Sequence, residues 1–429
     1  MFENIKKIII TGDILRPSPN GTKSAQLTNI SWLYNILKFP IESNLNNEIK
    51  VEMLRWEDDC FDAIKFYKLN NMNSSLQSWK NIYYAKEVSK ESENYLLSFF
   101  ENSFVIGFEM PEVFINIFEK YNVKYIDIII HPIRYLDDLL FGFRTNSKLI
   151  FSKLKQYQVN PKEFIVSAGI HKATISRKPL LNLEKNSALF TGQVEIDKSL
   201  IKDEQCLSIL DFKKEFTELT KQYKKVYFKK HPYAKENIDI DKFIKKFDNV
   251  EYIDENFYYL LGQDNIDSVY SISSSTVIEA KYWGKKSVFF YKNPFEFVKF
   301  SDTDYSSNKY IAIDQSFITV EFWKDIFNLK QQSIKDNYSI KQNLLRNSLN
   351  NYWGYDFFLQ YNIMPNSINE LLYSLKPSIQ FISKELMNNT QKKVIKFYSF
   401  KNFLQKIKQI PLLGKSLLWF KHKILKWNK

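Results

Sequence analysis

The sequence predicts an α/β protein made of two successive βαβ units, and three observations carry that prediction. Apolar runs of strand length recur along the chain, from residues 7–11 to 287–290. Stretches with helical periodicity separate them. A polar, basic stretch at 171–186 interrupts the alternation, which then restarts.

The first strand is expected at 7–11, where Ile8, Ile9 and Ile10 run up to Gly12-Asp13. Leu27, Ile30, Leu33 and Leu37 then share one face of a helix over 26–37. Strands follow at 104–106 and 125–130. A helix opens near Pro111 between them, proline being suited to a first turn. Phe164-Ile165-Val166 reads as one more strand. After the 171–186 linker come strand 188–191, helix 211–223, strand 226–228, helix 240–247 and strand 250–253. A short helix at 257–261, strand 268–271, helix 276–283 and strand 287–290 complete the second unit. Residues 319–374 look mostly helical and rich in aromatics. The expected organisation is therefore a first Rossmann-like domain at 1–175, a second at 186–320, a helical crossover segment at 321–385 and a basic tail at 390–429.

Length and composition suit large hydrophobic cores: 429 residues, 44% hydrophobic and 25% charged. The net charge of +13 invites an anionic partner, and its location narrows the choice. From Gln391 to Lys429 there are 11 lysines and no acidic residue, so the body is nearly neutral. That argues against a nucleic-acid-binding body. In the tail, Phe397, Phe400, Trp419, Phe420 and Trp427 interleave with the lysines, and Pro411 and Gly414 divide it into two short amphipathic helices. Such a tail suits an anionic membrane surface, at about 1 kcal/mol per lysine. Cys60 and Cys206 have no metal-ligand spacing and read as reduced thiols. The N-terminus lacks a signal-peptide layout and no apolar run is long enough to span a bilayer. The expected location is cytoplasmic, peripheral on the inner face of the membrane.

In open α/β sheets, ligands sit at the carboxyl ends of strands. Two polar constellations of the second unit fall there. Lys230-His231-Pro232 follows strand 226–228, and Ser273-Ser274-Ser275 follows strand 268–271 and opens the helix at Thr276. Unpaired backbone N–H groups and small hydroxyls at a helix start suit a phosphate. Glu279, one turn in, could accept from ribose hydroxyls. A serine run before a helix is equally the mark of an N-cap, and a lone histidine after a strand is commonly structural. Gly192-Gln193-Val194-Glu195-Ile196-Asp197 follows the first strand of the same unit and faces the same crevice. Asp197 suits a nucleophile or base, although an isolated loop aspartate also reads as a turn or cap. Glu109 closes the strand at 104–108 and could face Asp197, giving the carboxylate pair of glycosyl transfer. Asp13, Arg16, His131 and Arg134, at strand ends of the first unit, are candidates for an acceptor or a sugar carboxylate. Asp13 and Arg16 also fit ordinary turn chemistry. His171 and His422 are assigned no chemistry.

The His-Pro motif followed by the serine motif resembles enzymes that use cytidine-monophosphate sugars. Sialyltransferases and capsular or O-antigen Kdo transferases both show it. The 192–197 loop, Gly107-Phe108-Glu109-Met110-Pro111 and His131-Pro132-Ile133-Arg134-Tyr135-Leu136-Asp137-Asp138 are similar to the retaining β-Kdo transferases of bacterial polysaccharide assembly. The resemblance spans residues 1–300. It implies a GT-B fold of two Rossmann-like domains facing a cleft, with CMP-Kdo as donor and a glycan or lipid-linked acceptor. It also implies retention of configuration, with Asp197 as nucleophile and Glu109 as acid/base. On that reading His231 and Ser273–Ser275 hold the CMP phosphate, and Gln193, Lys230, Pro232, Thr276 and Glu279 complete the donor-binding set. No metal or cofactor is expected. A sialyltransferase, a CDP-polyol phosphotransferase and a non-catalytic assembly scaffold are the alternatives.

Overall fold

The computed structural model describes residues 5–353, apart from 20, 46–48, 58–59, 178–180, 232–233 and 329–342. The tail at 390–429, most of the 321–385 segment and Pro232 lie outside the described residues.

The first sheet begins with β1 (Lys7–Gly12), β2 (Lys50–Met53), β3 (Ser103–Phe108), β4 (Lys124–Ile130) and β5 (Phe141–Thr145). β1 pairs in parallel with both β2 and β3, and β3 with β4, while β5 runs antiparallel to β4. The inner strands β1, β3 and β4 are mainly apolar because both faces are covered. Ile8 and Ile10 point to the Leu27–Glu42 helix, against Leu33 and Leu37. Ile9 points the other way, into an aromatic layer of Phe61, Phe66, Trp79 and Phe114. The alternation along one strand thus feeds two cores.

The second sheet contains β6 (Ser187–Thr191), then β9 (Lys225–Lys229), β10 (Val250–Tyr252), β11 (Ile266–Ser271) and β12 (Lys286–Phe289). Between β6 and β9 lies a small antiparallel hairpin, β7 (Ile201–Lys202) and β8 (Gln205–Cys206). The sheet order is β10-β9-β6-β11-β12, all parallel. Ala188, Phe190, Phe216 and Phe228 form its core on one face. The chain then returns to the first sheet, where β13 (Ile311–Ile313) pairs antiparallel with β5. Phe317, Phe322, Trp323, Ile326, Leu345 and Leu349 join the first core. Residues up to 320 were expected to belong with the second unit; the last of them pack instead on the first sheet.

Strand order fixes where ligands can bind. In the first sheet it reverses between β1 and β3, and in the second between β6 and β11. A crevice opens at such a reversal, because the connections on either side leave to opposite faces. Both reversals carry candidate residues: Asp13 and Glu109 in the first sheet, Gln193 and Ser273 in the second.

One element departs from expectation. Phe164-Ile165-Val166 is no strand but part of the Lys162–Ile175 helix, which also takes up the start of the expected linker. Phe164 is buried, whereas Ile165 and Val166 are 59% and 62% exposed. A triplet of apolar residues does not distinguish helix from strand; the tertiary fit of Phe164 alone decides it.

Candidate functional site

The loop after β6 is tied to the loop after β11 by side chains. Gln193 Oε1 accepts the Ser273 backbone N–H at 2.9 Å, and its Nε2 donates to Ser273 Oγ at 3.1 Å. Ser273 Oγ in turn donates to Ser199 Oγ at 3.1 Å. Thr191 and Thr276 share a hydroxyl contact at 2.6 Å across the same reversal. Ser274 Oγ accepts from the Thr276 N–H, while Ser275 makes no cap hydrogen bond. Ser273 therefore braces the crevice from within. Ser274 and Ser275, half-buried, form its edge.

His231 lies at the end of β9, beside this crevice. Gly192 donates its N–H to Lys229 O at 2.8 Å, and a side chain at 192 would sit 3.7 Å from the His231 N. Burial lowers the His231 pKa; the negative charge of Asp197 opposes this, and Arg134 and Lys229 add to it. Lys230 points elsewhere. Its Nζ forms a surface ion pair with Asp241 Oδ1 at 2.7 Å and lies over the Tyr252 ring.

Asp197 caps a short 3-10 turn, Lys198–Leu200, accepting from the Ser199 N–H at 2.8 Å. The cap fixes one carboxylate oxygen of Asp197. The next residue crosses to the other sheet. Lys198 Nζ lies 3.0 Å from Glu109 Oε2, with both side chains mostly buried, at 17% and 18% exposure.

Glu109 occupies the left-handed region, with φ of 55°. A non-glycine residue there is uncommon and persists only when its surroundings hold it. Here the holding groups are clear. The Glu109 N–H donates to Ile128 O at 2.8 Å, and the Met110 N–H to Asp127 Oδ1 at 2.9 Å. Asp127 Oδ2 accepts from Arg144 Nε at 2.9 Å and Tyr310 OH at 2.8 Å. Arg144 reaches on to Glu112 with two further bonds. Asp127, Arg144 and Tyr310 were missed at the sequence level. The available signal was a charged residue inside each of two apolar strands, since a buried charge must be paired.

Asp13 and Arg16 sit across the cleft from Asp197. Asp13 accepts from Trp79 Nε1 at 2.9 Å and from the Arg16 N–H at 3.1 Å. Burial raises its pKa to about 6, against the opposing effects of Arg16, the Trp79 bond and Lys198. The Arg16 guanidinium stacks over Trp79 and donates to Ile196 O at 3.2 Å, one residue before Asp197.

Two expected ligand contacts take different form. Glu279 is 2% exposed, and its Oε1 accepts from the Arg134 N–H and from Tyr258 OH, each at 2.9 Å. Burial raises its pKa to about 7, while those partners and Arg346 oppose the shift. It links the helix after β11 to the loop after β4 and does not offer that oxygen to a ribose. His131 is a core residue packed on Phe164 and Phe297, its Nδ1 accepting from the Ile133 N–H. Burial, then Arg134, lowers its pKa to about 3. Its side chain is buried, against the acceptor-side exposure expected of it.

Elements of the two sheets thus bring Glu109 against Lys198, and Asp197 within electrostatic reach of His231. The chain is similar to β-Kdo transferases of known structure. Against KpsC of Thermosulfurimonas dismutans, a beta Kdo 2,7 transferase, the TM-score is 0.31 at 15% identity, over 55% of this chain and 81% of that one. The beta Kdo 2,4 transferase of the same organism gives 0.29 at 14%, over 52% and 78%. A UDP-GlcNAc 2-epimerase from Neisseria meningitidis, bound to UDP-GlcNAc, gives 0.21 at 15%, over 66% and 81%. No family model and no curated protein matches the chain. Among the described residues there is no group of three metal-ligating side chains, and no helix is long and apolar enough to cross a membrane.

Proposed function

We propose that this protein is a retaining glycosyltransferase of the GT-B type that moves Kdo from CMP-Kdo to a glycan or lipid-linked acceptor. The observation that supports the reading is the Lys198–Glu109 ion pair, which ties the residue after Asp197 to the other candidate carboxylate.

The chemistry follows from these positions. CMP binds at the β6/β11 reversal, its phosphate against His231 and the edge formed by Ser274 and Ser275. Arg16, held beside Ile196, takes the sugar carboxylate. The Asp197 carboxylate attacks the anomeric carbon, the carbon–oxygen bond to phosphate breaks, and CMP leaves with the bonding pair. The acceptor hydroxyl then attacks the same carbon from the vacated side. Glu109 takes its proton and Asp197 is released, so two inversions give retention. Pre-organised charge is the main source of rate in such a site. The protein's own groups supply it here, which is why the reading is metal-independent. The basic tail would hold the enzyme at the inner face of the cytoplasmic membrane, within reach of a lipid-linked acceptor.

Release of CMP from a panel of CMP- and CDP-activated donors tests this reading. CMP-Kdo is expected to be the preferred donor, with turnover lost in Asp197→Ala and His231→Ala proteins that melt as the parent does. Turnover of a CDP-polyol alone, or of CMP-sialic acid in preference to CMP-Kdo, would replace it.

A further inference from the structure

The mouth of the cleft carries an aromatic and basic cluster that the donor chemistry does not use. Tyr84 follows the Leu76–Tyr83 helix and is 39% exposed. Its hydroxyl donates to Lys198 O at 3.1 Å, so its ring ends on the loop that carries Asp197. From the other sheet, just after β12, Lys292 places its Nζ 5.4 Å from the Tyr84 ring centroid and 5.1 Å from that of Tyr291. Lys202, on the β7–β8 hairpin, lies 5.9 Å from the Tyr291 centroid. Lys202 and Lys292 are exposed, and among the described residues neither is ion-paired.

This composition has a ligand chemistry. An exposed ammonium over an aromatic face is held only weakly, so it yields readily to a better partner. Tyrosine offers an apolar face with a polar tip, suited to the C–H face of a pyranose. Two unpaired ammoniums beside such faces call for an anion on the same molecule. Meanwhile Asp13 and His131, expected on the acceptor side, are both 4% exposed and closed to a ligand.

We propose that Tyr84, Tyr291, Lys202 and Lys292 form the acceptor subsite and select a glycan terminus that bears a carboxylate or phosphate. The sugar lies against the tyrosine rings and its anionic group draws the two ammoniums. The proposal rests on the glycosyl-transfer reading, because that reading makes the cleft mouth the acceptor's entry.

Ligand-observed saturation-transfer NMR on the full chain tests it with three probes: methyl glucuronide, glucose 6-phosphate and methyl glucoside. At least one anionic probe is expected to bind about fivefold or more tightly than the neutral glucoside. Whichever anion binds better identifies carboxylate or phosphate as the native group. The preference should disappear in the Lys202→Gln/Lys292→Gln double variant, and all binding should weaken in Tyr84→Ala but not in Tyr291→Phe. Equal binding of the glucoside, an unchanged preference in the double variant, or no binding of any probe overturns the subsite. CMP release from CMP-Kdo without acceptor reads the parent hypothesis separately, and the double variant should retain it.

Discussion

Lys198 Nζ lies 3.0 Å from Glu109 Oε2, joining the turn that follows β6 of one sheet to the end of β3 of the other. The pair joins the loop of the candidate nucleophile to the candidate base, so each should depend on the other. Glu109→Gln is expected to lower transfer by about 10²–10⁴-fold, the range of general-base catalysis. A double-mutant cycle with Lys198→Met should show coupling of about 1–2 kcal/mol in kcat/KM. Additive losses would mean that the ion pair is only structural.

The backbone at Glu109 gives a prediction of opposite sign. With φ at 55°, a side chain there crowds the following carbonyl. Replacing Glu109 by Gly or by Ala removes the same carboxylate, but only Gly removes the crowding. Glu109→Gly should therefore be more stable than Glu109→Ala by about 1–2 kcal/mol. Paired urea melts measure the difference, and equal stabilities would contradict the strain.

Arg144 is the hub of the buried network, with its side chain 5% exposed and Asp127 beside it at 1%. Arg144→Met leaves two carboxylates without their cation. The expected cost is about 3–5 kcal/mol, since an uncompensated buried charge remains. Adding Asp127→Asn should recover part of it. Chemical denaturation reads both, and a cost within 1 kcal/mol, roughly the value of a surface pair, would remove the network from the account.

His131 predicts an acid sensitivity. Its folded pKa is lowered to about 3, from an ordinary 6.5, chiefly by burial. The unfolded chain then binds the extra proton first. The stabilising contribution is full above pH 6.5 and is lost as pH falls towards 3. The loss amounts to several kcal/mol, about 1.4 for each unit. His131→Asn keeps an acceptor near the Ile133 N–H and does not titrate. Its stability relative to wild type should rise steadily from pH 6.5 to pH 4, and a parallel course would show that His131 is not the sensor.

Much of the fold was legible because its signals are local. Ile8–Ile10, the Leu27–Leu37 periodicity and the strands before His231 and Ser273 needed only spacing and turn residues. What depended on long-range fit was not. Phe164 chose helix because the core had a place for it, and β13 could not be assigned to the first sheet from its own three residues. At the candidate site, the strand order places Gln193, His231, Ser273, Asp197 and Glu109 after the carboxyl ends of their strands. It could not say which polar groups would pair with one another. Glu279 and Lys230 found protein partners, and Asp127 and Arg144 were hidden because isolated charges in apolar strands have no local partner to reveal them.

The central claim is that Asp197 attacks the anomeric carbon of a CMP-activated Kdo. Incubating the intact protein with CMP-Kdo in the absence of acceptor, followed by mass spectrometry of the whole chain and its peptides, tests it most directly. The expected result is a mass increase of one Kdo residue on the peptide that contains Asp197, and none in Asp197→Ala. Transfer by wild type together with undiminished transfer by Asp197→Ala, or an adduct on another residue, would contradict it.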